Sequence, residues 1–218
     1  MILLSHIINS ETPTYGNRDK FISEEISCVS DGASANSSKW IFTSNHLGTH
    51  IDMPKHFFDE GLTLTDLPID FWYSDKIQLI DIPCSKAKLI DIKDLNVEIN
   101  MDTEVLLIRT GYEKYRKIEK YWNDNPGLNF SFGVWLRKNR PNVKIIGFDF
   151  ISLTSWKLVN EGKKAHQVFL DPQDEGNPIC IIEDMALYKI NFKIKLIIVS
   201  PLFVKSANGG PVTVFAQF

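Results

Sequence analysis

Cysteine, long apolar runs and excess positive charge are all scarce in this 218-residue chain, and each shortage closes off a class of function. Three cysteines, Cys28, Cys84 and Cys180, are odd in number and far apart, so they form neither a disulfide framework nor a zinc-ribbon spacing. They read as small buried hydrophobes in a reducing compartment. No stretch reaches the roughly 18 apolar residues of a membrane-crossing helix, and no membrane partner is expected. The opening "MILLSHIINSETPTYG" is apolar but lacks a basic n-region and meets His6 early, so no secretory signal is expected and the expected setting is the cytoplasm. The formal net charge is -3, and the Lys and Arg residues make no stripe on any predicted element, which argues against nucleic acid as a partner.

What is present is a globular composition, with 44% hydrophobic and 23% charged residues. The length suits one compact domain spanning 1–218, large enough to bury a core without staples. The first half reads as strands: "ILLSHII" (2–8), "EEISCVS" (24–30), "WIFTSNHLGTHID" (40–52), "KIQLIDI" (76–82) and "TEVLLIRTG" (103–111), the last apolar enough to be buried on both faces. Helices follow. "YEKYRKIEKYW" (112–122) reads as a charged amphipathic helix with a solvated face, and "FSFGVWLRKNR" (130–140) sets Phe132, Trp135 and Leu136 at helical spacing. The strand "VKIIGFDF" (143–150), a helix through "KKAHQVFL" (163–170) and the strands "PICIIEDM" (178–185), "IKLIIVSPLFV" (194–204) and "GGPVTVFAQF" complete the chain. The order predicts an α/β fold, a mixed β-sheet with flanking helices. Trp72 and Trp156 read as packing residues, and loops such as 152–160 are able to carry a site.

The chemistry concentrates in "NHLGTHIDMPKHFF" (45–58), which holds His46, His50 and His56 of the five histidines, with Asp52 between them. The four are even-numbered, so a strand starts them on one face. A helix would place Asp52 about 200° around from His50. Four residues of straight strand span about 13 Å, near the limit for two imidazoles on one ion, and Gly48 midway permits a bend that shortens the gap. Pro54 removes a ladder donor, so the strand should end near Met53 and His56 should swing in from a loop. His, His and Asp suit zinc or manganese and also the facial triad of non-haem iron. His56 is a further ligand or an unbound general acid/base. The segment lacks the His-Glu-x-x-His of helical zinc proteases and the His-x-His-x-Asp-His order of metallo-β-lactamase-type hydrolases.

Written as a pattern, "HLGTHIDMPKHF" resembles the signature of the cyclase-like metal-dependent hydrolases, the family that holds bacterial kynurenine formamidase and isatin hydrolase. "LSHIINSETPTYG", "EVLLIRTGYEKY", "IIGFDFISLTSW" and "PICIIEDM" extend the likeness over nearly the whole chain. The resemblance implies a mixed sheet of swivelling β/β/α type, usually in a homodimer or tetramer. It implies metal ligation by His46, His50 and Asp52, with His56 as the proton shuttle. In dinuclear members a later histidine and glutamate join, here His166 and Glu183, and the aspartate bridges the two ions; the implied cofactor is one or two divalent ions, zinc or manganese. Tyr15 matches a position near the pocket where family members place an aromatic residue against the substrate, often tryptophan.

The implied activity is hydrolysis of an amide, lactam or related acyl bond of a small molecule by water activated at the metal. His56 would move the proton, and Thr49 or the backbone near Gly48 would steady the oxyanion. The alternatives are a mononuclear metal dioxygenase and a non-catalytic metal-binding member of the fold.

Overall fold

The computed structural model describes residues 1–218. In chain order the strands are β1 (Ile2–Leu3), β2 (Phe21–Ser27), β3 (Ser37–Phe42), β4 (His50–Asp52), β5 (Tyr73–Ser74), β6 (Ile77–Asp81), β7 (Leu89–Ile90) and β8 (Val105–Arg109). They continue with β9 (Gly127–Leu128), β10 (Ile145–Phe148), β11 (Cys180–Glu183), β12 (Leu196–Pro201) and β13 (Gly209–Gln217). The helices are α1 (Lys120–Asn123), α2 (Phe130–Asn139) and α3 (Val159–Leu170).

The main sheet runs β5-β12-β13-β4-β11-β10-β8-β6, with β1 added beside β13. From β11 to β6 the neighbours are parallel, and from β11 through β4 and β13 to β12 and β5 they are antiparallel. The mixed α/β architecture expected from the strand and helix order is the one observed.

Alternation along the parallel strands explains why their sequences read as unbroken apolar runs. Leu106, Ile108, Ile146, Phe148 and Ile181 face one core, where Phe132 and Leu136 of α2 and Ala165 and Phe169 of α3 cover them. Val105, Leu107, Ile145, Cys180 and Ile182 face a second core, closed by Leu4, Val199, Val212, Val214 and Ala216 from β12, β13 and the N-terminal segment. Strands buried on both faces need no polar alternation.

Three local expectations need correction. The stretch 40–52 is not one strand: β3 ends at Phe42, and a turn through Gly48, at φ +66°, separates it from β4. At that φ an L side chain is strained, so glycine makes the bend that the spacing called for. Residues 112–122 do not form one solvated helix. A 3-10 turn over Tyr112–Tyr115 precedes the short α1, and both Tyr112 and Tyr121 are fully buried. Their hydroxyls have fixed partners inside, the Lys120 and Asp124 carbonyls for Tyr112 and the Asp184 carboxylate for Tyr121, which the surrounding lysines and glutamates concealed. "EEISCVS" is displaced, because β2 begins at Phe21 and pairs with β3 in a separate two-stranded ribbon.

Candidate metal centre

β4 and β11 build the floor of the site. Their antiparallel register sets His50 opposite Glu183 and Ile51 opposite Ile182. Ile51 and Ile182 point into the second core, so His50, Asp52 and Glu183 share the other face by the two-residue period of a strand. β4 then stops. Pro54 opens a 3-10 turn, Pro54–His56, that carries His56 back over the floor. From the opposite side α3 brings His166, on the same helical face as buried Gly162, Ala165 and Phe169.

The carboxylates of Asp52 and Glu183 are almost completely buried, at 1% and 4% exposure, with no lysine or arginine paired to either. Each spans the same two histidines. Asp52 presents Oδ1 to His50 Nε2 at 3.6 Å and Oδ2 to His166 Nε2 at 3.5 Å. Glu183 presents Oε2 to His50 Nε2 at 3.4 Å and Oε1 to His166 Nε2 at 3.5 Å. The far nitrogens are tied down: His50 Nδ1–H donates to the Gly48 carbonyl at 2.8 Å, and His166 Nδ1–H donates to the Gly162 carbonyl at 3.0 Å. A carbonyl oxygen only accepts, so in both neutral rings the lone pair sits on Nε2 and faces the carboxylates.

The electrostatics of this floor call for positive charge. Burial disfavours an imidazolium, but Glu183 and Asp52 overcome it and carry His50 up to about 9. Burial is likewise outweighed at His166, which Asp52 and Glu183 push up to about 10. Burial works against the charged form of Asp52, yet His46 and His56 hold its carboxyl well below the usual range.

His46 lies outside the strand, with Nδ1 2.7 Å from Asp52 Oδ1 in a direct hydrogen bond and Nε2 3.3 Å from Asn208 Oδ1. The His56 ring lies 4.0 Å from that of His46, centroid to centroid, and burial lowers its pKa to about 4. His46, Asp52 and His56 each bring a ligand atom within 4.8 Å of the other two, and so do His50, Asp52 and Glu183. Above the floor is a cleft of about 290 Å³, walled by Tyr15, Phe57, Ile151 and Val159, with Arg18 and Lys163 at its edge. The seven residues expected from the sequence to bind metal, move the proton or meet the substrate, Tyr15, His46, His50, Asp52, His56, His166 and Glu183, line this one cleft.

Other contributors were not anticipated. Phe57 stacks on His166 at 4.9 Å and an interplanar angle of 12°. The loop after β10 holds Glu183 in place, through the Leu153 N–H at 2.6 Å and the Ser152 hydroxyl at 3.2 Å, both to Oε1. Asp184, next in sequence, is fully buried with φ +53° and is gripped by Arg116 at 2.8 Å and by the Tyr121 hydroxyl. The adjacent acidic pair "ED" was the one sequence signal, and it reads equally well as a solvated strand end. Thr49, a candidate oxyanion donor in the sequence, is committed elsewhere: its hydroxyl accepts from the His6 N–H and donates to the Asp184 carbonyl.

The family described as putative cyclase matches residues 2–154. A kynurenine formamidase from Bacillus cytotoxicus is 29% identical over 210 residues, covering 96% of this chain and 93% of that protein. An uncharacterized protein from Haemophilus influenzae is 34% identical over 110 residues, 49% of this chain and 78% of its own. Among solved structures, isatin hydrolase A from Labrenzia aggregata superposes with a TM-score of 0.78 at 20% identity, covering 99% of this chain and 92% of that one. An isatin hydrolase bound to the product analogue thioisatinate gives 0.80 at 19% identity, with the same coverage. These structural likenesses speak to the fold.

Proposed function

Because the chain belongs to the putative-cyclase family, we propose that it is a metal-dependent hydrolase that cleaves the C–N bond of a small amide, formamide or lactam. The observation that carries the reading is the pair of buried carboxylates, each with one oxygen toward His50 and the other toward His166. Two ligands about 2.0–2.1 Å from one tetrahedral ion stand about 3.4 Å apart. The three pairs His50–Asp52, Asp52–His166 and His166–Glu183, at 3.5 to 3.6 Å, stand close to that spacing and exceed the roughly 2.7–2.9 Å of a charged hydrogen bond, whereas His46 and Asp52 meet directly at 2.7 Å. The donor set also fits: imidazole Nε2 atoms and carboxylate oxygens, with no lysine or arginine paired to them, suit zinc or manganese.

In this reading His46, His50 and Asp52 would hold one divalent ion, and Asp52, His166 and Glu183 would hold a second. Bound there, a divalent ion supplies Lewis acidity, polarising the scissile carbonyl and acidifying water near neutral pH. The remaining steps belong to the chain. Burial keeps the His56 imidazole neutral at pH 7, so it can accept the proton of the attacking water and return it to the departing nitrogen. Phe57, Ile151 and Val159 give the acyl substrate an apolar wall. The Leu153 N–H and the Ser152 hydroxyl keep Glu183 oriented, so the floor keeps its geometry while the substrate turns over.

The names of its relatives set the trial substrates: aryl formamides, as for the kynurenine formamidase, and isatin-type lactams, as for the isatin hydrolases. Protein loaded with zinc or manganese should release free amine from a member of this panel, and Asp52→Ala should release none. Equal rates for the variant and the wild type would contradict the assignment.

A further inference from the structure

The Tyr15 hydroxyl is buried and has no hydrogen-bond partner. A buried unpaired hydroxyl costs about 1–3 kcal/mol, so one at a cleft wall calls for a reason. The ring is held in place. Tyr15 opens a one-turn 3-10 segment, Tyr15–Asn17, pinned by the Asn17 N–H to the Thr14 carbonyl at 2.7 Å and by the Asp19 N–H to the Thr14 hydroxyl at 3.1 Å. Trp156 packs edge-on against the ring at 4.9 Å and 63°. Gly16, at φ +64°, lies so close that a Cβ there would strike Trp156 at 2.4 Å. Burial first, then the negative charge of Glu183, push the phenol up to about 12, so at neutral pH it keeps its proton.

The neighbouring hydroxyls are already committed. Thr49 bridges His6 and Asp184, Ser152 donates to Glu183, and Thr154 contacts His166 at 3.1 Å. On the hydrolase reading above, on which this inference rests, attack forms an O–C bond and drives the carbonyl π pair onto oxygen. Collapse then breaks the C–N bond as His56 hands its proton to nitrogen. The oxygen needs a fixed donor while it is negative.

We propose that the Tyr15 hydroxyl is that donor, contributing a hydrogen bond to the developing oxyanion without giving up its proton. Tyr15 is then a catalytic residue as well as an aromatic wall.

The test is Tyr15→Phe in the metal-loaded enzyme, which removes one oxygen and keeps the ring. The expected result is a loss of about 100-fold in kcat, the scale of one oxyanion donor, with KM within about twofold and Tm unchanged or raised. A kcat within about twofold of wild type overturns the proposal. So does a fall in Tm with kcat and KM both impaired, which is the signature of a packing role. Should the wild type hydrolyse no amide, the hydrolase reading fails by itself, and calorimetry with a phosphonanilidate, a stable tetrahedral oxyanion mimic, still reads the donor. A loss of tenfold or more in its affinity on Tyr15→Phe supports the hydroxyl's role. Unchanged affinity, or no binding to wild type, overturns it.

Discussion

Loading the metal-free protein with zinc at pH 7 should release about two protons per chain. The reason lies in the two histidines of the floor. A metal ligand must present a neutral imidazole, whereas the two buried carboxylates raise His50 to about 9 and His166 to about 10. At pH 7 both rings are therefore protonated in the metal-free state, and both must give up their protons to an entering ion. Each unit between pKa and pH is worth about 1.4 kcal/mol, so the two deprotonations oppose binding by on the order of 7 kcal/mol at pH 7, and this opposition fades as the pH approaches 9. The apparent affinity should rise roughly a hundredfold per pH unit between 7 and 9, tenfold for each proton displaced. Isothermal calorimetry in buffers of differing ionisation enthalpy counts the protons directly, with any proton from bound water added to the two. Binding with no net proton release at pH 7 would refute the argument, because it would mean that the imidazoles were already neutral beside Asp52 and Glu183.

The same charges shape the stability of the metal-free protein. The folded-state values of His50 and His166 lie above the ordinary 6.5, so their contribution is fully present below pH 6.5 and is lost as pH rises through about 9 to 10. Asp52 is depressed, so its contribution is present above the ordinary carboxylate range and is lost as pH falls below it. Thermal melts of chelator-treated protein should therefore peak between these limits and decline toward pH 10; a Tm that climbs steadily to pH 10 contradicts the assignment. His56→Ala should keep the metal content of the wild type and lose about 10²–10⁴-fold in kcat, measured by amine release beside elemental analysis; loss of the metal would make His56 a ligand instead. Arg116→Met leaves the fully buried Asp184 carboxylate without its guanidinium and should cost about 3–5 kcal/mol in urea denaturation; a cost under about 1 kcal/mol would show that Tyr121 alone satisfies Asp184.

How much of this was legible in the sequence varies with the range of the interaction. His46, His50, Asp52 and His56 stand within eleven residues, and their even spacing, the bend at Gly48 and the stop at Pro54 are local facts that survive into the fold. His166 and Glu183 are different. Glu183 joins the floor through its register opposite His50, and His166 through the packing of α3, neither of which leaves a local pattern; only the resemblance to a known family pointed to them. The helix expected over 112–122 failed for a related reason. The charges there follow a helical rhythm, but the segment is set by the burial of Tyr112 and Tyr121 and by the grip of Arg116 and Tyr121 on Asp184, a residue more than sixty positions away. The long expected strand over 40–52 broke where the turn through Gly48 takes His46 off the sheet, yet His46 still meets Asp52.

The most direct test of the central claim is metal content, by elemental analysis of protein purified without chelating resin, saturated with zinc or manganese and desalted. The account predicts close to two equivalents per chain in the wild type and close to none in Asp52→Ala, because one carboxylate serves both positions. A wild type that retains no metal, or an Asp52→Ala variant that retains the full amount, would contradict it.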